Sequence, residues 1–209
     1  MFSVLRLIDS DGDAQQLADE LRAAASDADV DHVLVEPTLP GSRNGGDVLM
    51  HLRFADHSEW DSAAAAFEDI LARPEISRVN GATYSGTPVT PPGERGPATI
   101  YRTLLLRVPP DTEPALIVQF EDDLRLLTRY VTPIAAWQLS RVDSAIGATA
   151  WTHVFEQEFR DIDGLMGPYL MHPIHWAHVD RWFDPECPDA IIRDRVCHSF
   201  CQCDRPVLT

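Results

Sequence analysis

The chain has 209 residues, 44% hydrophobic and 24% charged, which is the composition of a globular protein with a real core, as one domain or two small ones. No apolar run reaches the roughly 18 residues of a membrane-spanning helix. The net charge is −16 and all 17 basic residues are arginine, so phosphate backbones and anionic membranes are repelled. Neither nucleic acid nor a membrane is an expected partner, whereas a hydrophobic small molecule is.

The start, MFSVLRLID, reads as a first strand and not as a signal peptide, because it has no basic region and no cleavage site. A cytoplasmic location is the corresponding expectation. DAQQLADELRAAASDA has a helical period, with Leu17, Leu21 and Ala24 on one face and Asp13 as a cap. VDHVLVEPTLPG predicts a second strand, and GGDVLMHLRFAD a third after a Gly-rich turn. SEWDSAAAAFEDILARP predicts a helix ended by Pro74, and ISRVNGATYSGTPV a fourth strand. Residues 87–99, rich in Pro and Gly, read as a linker.

After the linker the order begins again. IYRTLLLRV is a strand, DTEPALIVQFEDDLRLLTRYV a helix, and PIAAWQLSRVDSA and GATAWTHVFEQEF are strands. DIDGLMGPYLMHPIHWAHVDRWF is a helical region and RVCHSFCQC a last strand. Residues also echo: FSVLRL at 2–7 resembles YRTLLL at 101–106, and Phe54-x-Asp56 resembles Phe159-x-Asp161. Each half is a βαββαβ ferredoxin-like unit, here 1–86 and 100–209. Such a unit has helices on one face of its sheet only, so the two halves are expected to bury their open faces against each other. The fold class is α+β: two tandem ferredoxin-like halves forming a pseudo-dimeric barrel, with space for a small molecule between each sheet and its own helices.

All four cysteines lie near the C-terminal end of the sequence. In CHSFCQC a strand places Cys197, Cys201 and Cys203 on one face, which reads as buried thiols. Neither this cluster nor His172, His175 and His178 has complete metal-ligand spacing, so no metal is expected. Positions i, i+3 and i+6 on a helix drift by about 60° per step, whereas two-histidine metal motifs use i, i+4. There is no G-x-G-x-x-G and no P-loop.

Tyr169 to His175 reads Y-x-x-H-P-x-H. In the second half this resembles the stress-responsive dimeric α/β barrel (Dabb) family; the first half fits by element order alone. That family includes a plant polyketide cyclase whose Tyr and second His form an acid–base pair, here Tyr169 and His175. Fused tandem forms resemble the ring-cleaving oxygenases of angucycline biosynthesis, which hold flat aromatic polyketides against tryptophans. The resemblance makes Trp60, Trp176 and Asp56 substrate-binding candidates. His172 joins them because it shares a face with His175, although before Pro173 its ring also suits a bond to freed backbone groups.

The chemistry follows from these side chains. His175, with a reference pKa near 6.5, suits removal of a proton from a phenol or activated carbon acid. Tyr169 suits donation to the resulting oxyanion. Three readings stay open: an oxygenase of aromatic polyketides, a polyketide cyclase, and a non-enzymatic stress-associated barrel. The oxygenase implies no tightly bound cofactor, O2 as co-substrate, and a reduced flavin supplied in trans by a reductase as one means of delivery. A homodimer is compatible with all three.

Overall fold

The computed structural model describes residues 1–93, 96–193 and 196–208. Residues 94–95 of the expected linker and Arg195, at the start of the expected last strand, lie outside the described residues. The first half runs β1 (Phe2–Ser10), α1 (Ala14–Ser26), β2 (His32–Pro37), β3 (Val48–Phe54), α2 (His57–Leu71) and β4 (Ile76–Ser85). The second runs β5 (Ile100–Leu106), α3 (Pro114–Tyr130), β6 (Ile134–Arg141), β7 (Ser144–Ile146), β8 (His153–Phe159) and β9 (Cys197–Gln202).

Both sheets are antiparallel. Their orders are β2-β3-β1-β4-β7 and β6-β8-β5-β9. With β7 set aside, each is the ferredoxin-like order, and the molecule is a pseudo-dimeric α+β barrel within one chain. β7 was expected as the tail of β6. It instead leaves its own sheet and pairs with β4 of the other half, Ala82 opposite Ala145. Single bridges add to the seams: Val89 with Trp137, and Arg43 of the β2–β3 loop with His198 of β9.

Local chemistry sets the element ends. Asp13 caps α1, its carboxylate accepting from Gln16 N at 2.8 Å. The repeated Phe-x-Asp is a strand end followed by a helix cap in both halves. Asp56 accepts from Ser58 N and Glu59 N at the start of α2, and Asp161 accepts from Gly164 N. Register corrects one part of the repeat. Phe2 lies opposite Phe54 and Ile100 opposite Phe159, so Phe2 corresponds to Ile100 and not to Tyr101. Aligning 2–7 with 101–106 is one residue out, a slip that turns every side chain to the wrong face.

Strand alternation feeds three cores. Leu5, Leu7 and Leu49 of the first sheet meet Tyr101, Leu105 and Val154 of the second in a core between the sheets. Phe54, Trp60 and Phe67 belong to the core under α1 and α2, and Phe120, Leu124 and Phe155 to the core under α3. Full burial of such a side chain stabilises by about 1.5–3 kcal/mol. Cys197, Cys201 and Cys203 face the space between the sheets, as the alternation of a strand requires.

That central core also holds charge. His51 of β3 lies 3.0 Å from Glu156 of β8, both fully buried, and Tyr101 donates to the same carboxylate oxygen at 2.6 Å. Burial pushes the Glu156 carboxyl up, but the charge and hydrogen bonding of His51 and the tyrosine hydroxyls outweigh it, so its pKa lies below 4.5. The pair joins the two halves across the barrel. Removing Glu156 strands the buried His51 without its charge partner, whereas removing both takes that penalty away.

Glu156→Leu should therefore destabilise the fold by about 3–5 kcal/mol, and the double change His51→Leu with Glu156→Leu by clearly less. Urea unfolding curves read this directly; a double variant as damaged as the single would contradict it. Because the folded carboxyl pKa is depressed, this contribution is complete above pH 4.5 and is lost as the pH falls through the folded value.

Candidate functional site

The second half contains a cavity of about 480 Å³ between its sheet and its helical segments. Its floor is the helix-facing side of β5 and β9, where Arg102, Leu104 and His198 project. Leu124 of α3 forms part of a wall. The rest is closed by the segment after β8, which was expected as one helical region and instead breaks into short turns. Ile162–Gly164 is α-helical, Leu165–Tyr169 and His175–Val179 are π turns, and Asp180–Trp182 is a 3-10 turn. Pro168 and Pro173 remove backbone donors here, so a continuous α-helix cannot run through.

The π turns bring Asp180, His175 and Tyr169 together. Asp180 N donates to His175 O, five residues back. This wider turn stacks Asp180 above His175, and Asp180 Oδ1 lies 3.0 Å from His175 Nδ1. In an α-helix residues five apart point well away from each other. Tyr169, buried at 1% exposure, meets the His175 ring edge-on with centroids 5.2 Å apart. Arg102 lies beneath the Tyr169 ring, 4.8 Å from its centroid.

The protonation states follow from these neighbours. Burial lowers the His175 pKa below 6.5; Asp180 pulls it up, and Arg102 pushes it down. His175 is therefore neutral at neutral pH. Burial raises the Tyr169 pKa above 10.0, only partly countered by Arg102, so the phenol keeps its proton and can donate it. His198 is driven down to about 3 by burial, then by Arg102 and Arg43. It stays neutral, and its Nε2 accepts from Arg102 Nε at 2.8 Å.

Of the residues expected from sequence, the structure brings Tyr169 and His175 into one cavity and places the others elsewhere. Trp60 is 7% exposed in the first half, packed between Phe54 and Phe67 with the Arg6 guanidinium over its ring. Trp176 is 55% exposed, and its indole N–H donates to Leu170 O. The expectation that these two grip one planar ligand is corrected: one is core, the other is surface. Asp56 is an exposed helix cap. His172 does not line the cavity; its Nδ1 accepts from Ile174 N, satisfying backbone beside Pro173. Sequence reasoning missed Asp180 and Arg102, and it met His198 only as one soft ligand of CHSFCQC.

The first half also contributes. Its loop GSRNGG, residues 41–46, reaches across so that Arg43 and Asn44 line the same cavity. Arg43 exchanges two 2.8 Å backbone hydrogen bonds with His198, and the Asn44 side chain donates to Val196 O. Gly45 permits the approach, because a Cβ there would lie 2.7 Å from His198 O.

Comparison with known proteins agrees with this architecture. The model of the stress responsive A/B barrel domain matches residues 100–197. No curated protein matches the chain. Among solved structures, an "anthrone oxidase-like protein" superposes with a TM-score of 0.70 at 12% identity, over 96% of this chain and 90% of that one. A protein named "putative monooxygenase" from Fusobacterium nucleatum subsp. nucleatum gives 0.60 at 10%, over 96% and 90%. A mutant chlorite dismutase from Candidatus Nitrospira defluvii gives 0.56 at 9%, over 97% and 90%. At such identities these likenesses show the barrel fold alone.

Two outcomes are expected. Asp180→Asn removes the group that raises the His175 pKa, so an NMR titration of the His175 ring should find its pKa lower still; an unchanged or higher value would deny the pairing. Trp60→Ala should act on stability, costing about 3–5 kcal/mol in urea unfolding, because it empties a packed core. A fully stable Trp60→Ala protein would return Trp60 to consideration as a ligand contact.

Proposed function

We propose that the chain is an oxygenase of hydroxylated aromatic small molecules, of the kind found among aromatic polyketides, and that the second-half cavity is its active site. The observation that carries this reading is the neutral His175, backed by Asp180, meeting the protonated Tyr169 inside a largely apolar cavity. A base with an orienting carboxylate, next to a hydroxyl donor, suits proton removal from a carbon acid whose charge moves onto oxygen. An anthrone is such an acid. His175 takes a proton from its CH2 group, and Tyr169 supports the oxyanion. O2 accepts the electron pair of the carbanion, forming a C–O bond; the hydroperoxide then loses water to leave the quinone carbonyl. One CH2 and one O2 thus give one C=O and one H2O. Reduced flavin supplied by a partner reductase is the other route for delivering oxygen. The names of two fold neighbours, anthrone oxidase-like and monooxygenase, favour the same chemistry.

The test is oxygen uptake with 1,8-dihydroxyanthrone, with and without reduced flavin. His175→Ala should lower kcat by about 10²–10⁴ while the melting curve hardly moves, since a cavity-lining side chain loses little packing. The acid limb of the wild-type rate profile should lie below pH 6.5, because the His175 pKa is lowered and the base works unprotonated. Full activity of His175→Ala would remove the base from the mechanism. Turnover of a poly-β-keto substrate without oxygen uptake would move the same Tyr–His pair to a cyclase.

A further inference from the structure

Proton removal by His175 leaves the basic side of the cavity without a task. Arg102 is 5% exposed and lines the cavity floor. Its Nε donates to His198 Nε2, and its Nη1 donates to Gln157 Oε1. Both acceptors are neutral. Among the described residues the charges felt by the guanidinium include no carboxylate partner, and burial depresses its pKa. An arginine held by neutral groups is positioned without being neutralised.

The fold does not require this residue. By strand register Val4 stands in the first half where Arg102 stands in the second, and Leu52 stands where Gln157 does. The first half fills that space with an apolar core. Its own helix-side arginine, Arg6, is directed to the carbonyl oxygens of Leu5 and Ala82. Arg43 also lines the second-half cavity, and its charge acts on His198. Among the described residues the acidic one lining the cavity is Asp180, which is already at His175. In a chain of net charge −16, the described residues of this cavity include two arginines against one carboxylate.

We infer that Arg102 is the anion-binding residue of the cavity and that its ligand is a planar apolar molecule bearing an anionic oxygen, a carboxylate or an ionised phenol. His198 and Gln157 are positioning residues that hold the guanidinium in place. A buried guanidinium offers an oxyanion charge-assisted hydrogen bonds that water does not compete for. The inference rests on the proposed active site for its location, but it does not require His175 to be a base.

The test is calorimetric binding of 2-naphthoate against 2-naphthamide, which share a ring system and differ in charge. Wild type should bind the carboxylate at least about tenfold more tightly, the scale of one charge-assisted contact. Arg102→Met should bring that ratio to about one and leave amide binding within about twofold, because only the charged contact is lost. Equal binding, a preference for the amide, or no binding of either by wild type overturns the inference without recourse to any variant. A preference that survives in folded Arg102→Met also overturns it. His175→Ala separates the two readings. If it keeps the naphthoate preference and the anthrone activity, the base role fails and the anion site stands. If it abolishes activity while wild type shows no charge preference, the anion site alone fails.

Discussion

A ferredoxin-like sheet covered by helices on one face cannot leave the other in water. Joining two such units in one chain places the second face of each against the other, and the rest of the structure depends on that packing. It makes strands β3, β5 and β8 buried from end to end. Every residue on them must then face either the other half or its own helices. Polar residues on these strands have no solvent to face, so each needs a partner. On β8, Glu156 and Glu158 face the core between the halves, where they hold His51, Tyr101 and the backbone N–H groups of Val207 and Leu208. Gln157, between them, faces the other way and holds Arg102.

The two halves meet the same constraint differently. On the helix-facing side of the first sheet, a continuous α2 lays Trp60 and Phe67 over Phe54 and fills the volume. The corresponding segment of the second half carries Pro168 and Pro173 and folds as separate turns. A chain broken in this way cannot lay one apolar stripe along the sheet, and volume is left over it. The cavity is thus where the repeat departs from itself. The loop at 41–46 closes part of that departure from the opposite half.

Much of the fold was legible because its signals are local. Apolar periodicity, the Pro/Gly-rich segment before β5 and the Phe-x-Asp caps each act over a few residues, and the element order they give is that of the molecule apart from β7 and the broken segment after β8. Tyr169 and His175 stood out through a motif that resembles one in a known family, and both line the cavity. Asp180 was not, because its meeting with His175 depends on a π turn, and α-helical spacing puts it on another face. Arg102 and Gln157 sit inside segments read only as strands, with no reading of their faces. Their signal was polar residues within strands whose two faces both had to be covered, and using it required the correct register of the repeat. Trp60 was misplaced for the opposite reason: a large aromatic looks the same in sequence whether it fills a core or lines a site.

The segment CHSFCQC shows how far alternation alone carries the assignment. As a list of soft ligands, Cys197, His198, Cys201 and Cys203 look like one cluster. On β9 they separate, the thiols toward the core between the halves and His198 toward the cavity. Burial keeps the Cys201 thiol far from ionisation and pushes Cys203 up to about 12, so these sulfurs pack as small apolar groups. The histidine beside them is kept neutral by burial and by two arginines, and it accepts a hydrogen bond from Arg102 where a carboxylate would have cancelled its charge. One strand therefore seals the barrel with its odd-numbered side chains and sets the charge of the cavity with an even-numbered one. Turning β9 over by a single residue would put thiols against Arg102 and an imidazole among leucines, so the register that closes the barrel is also what fixes the polarity of the site.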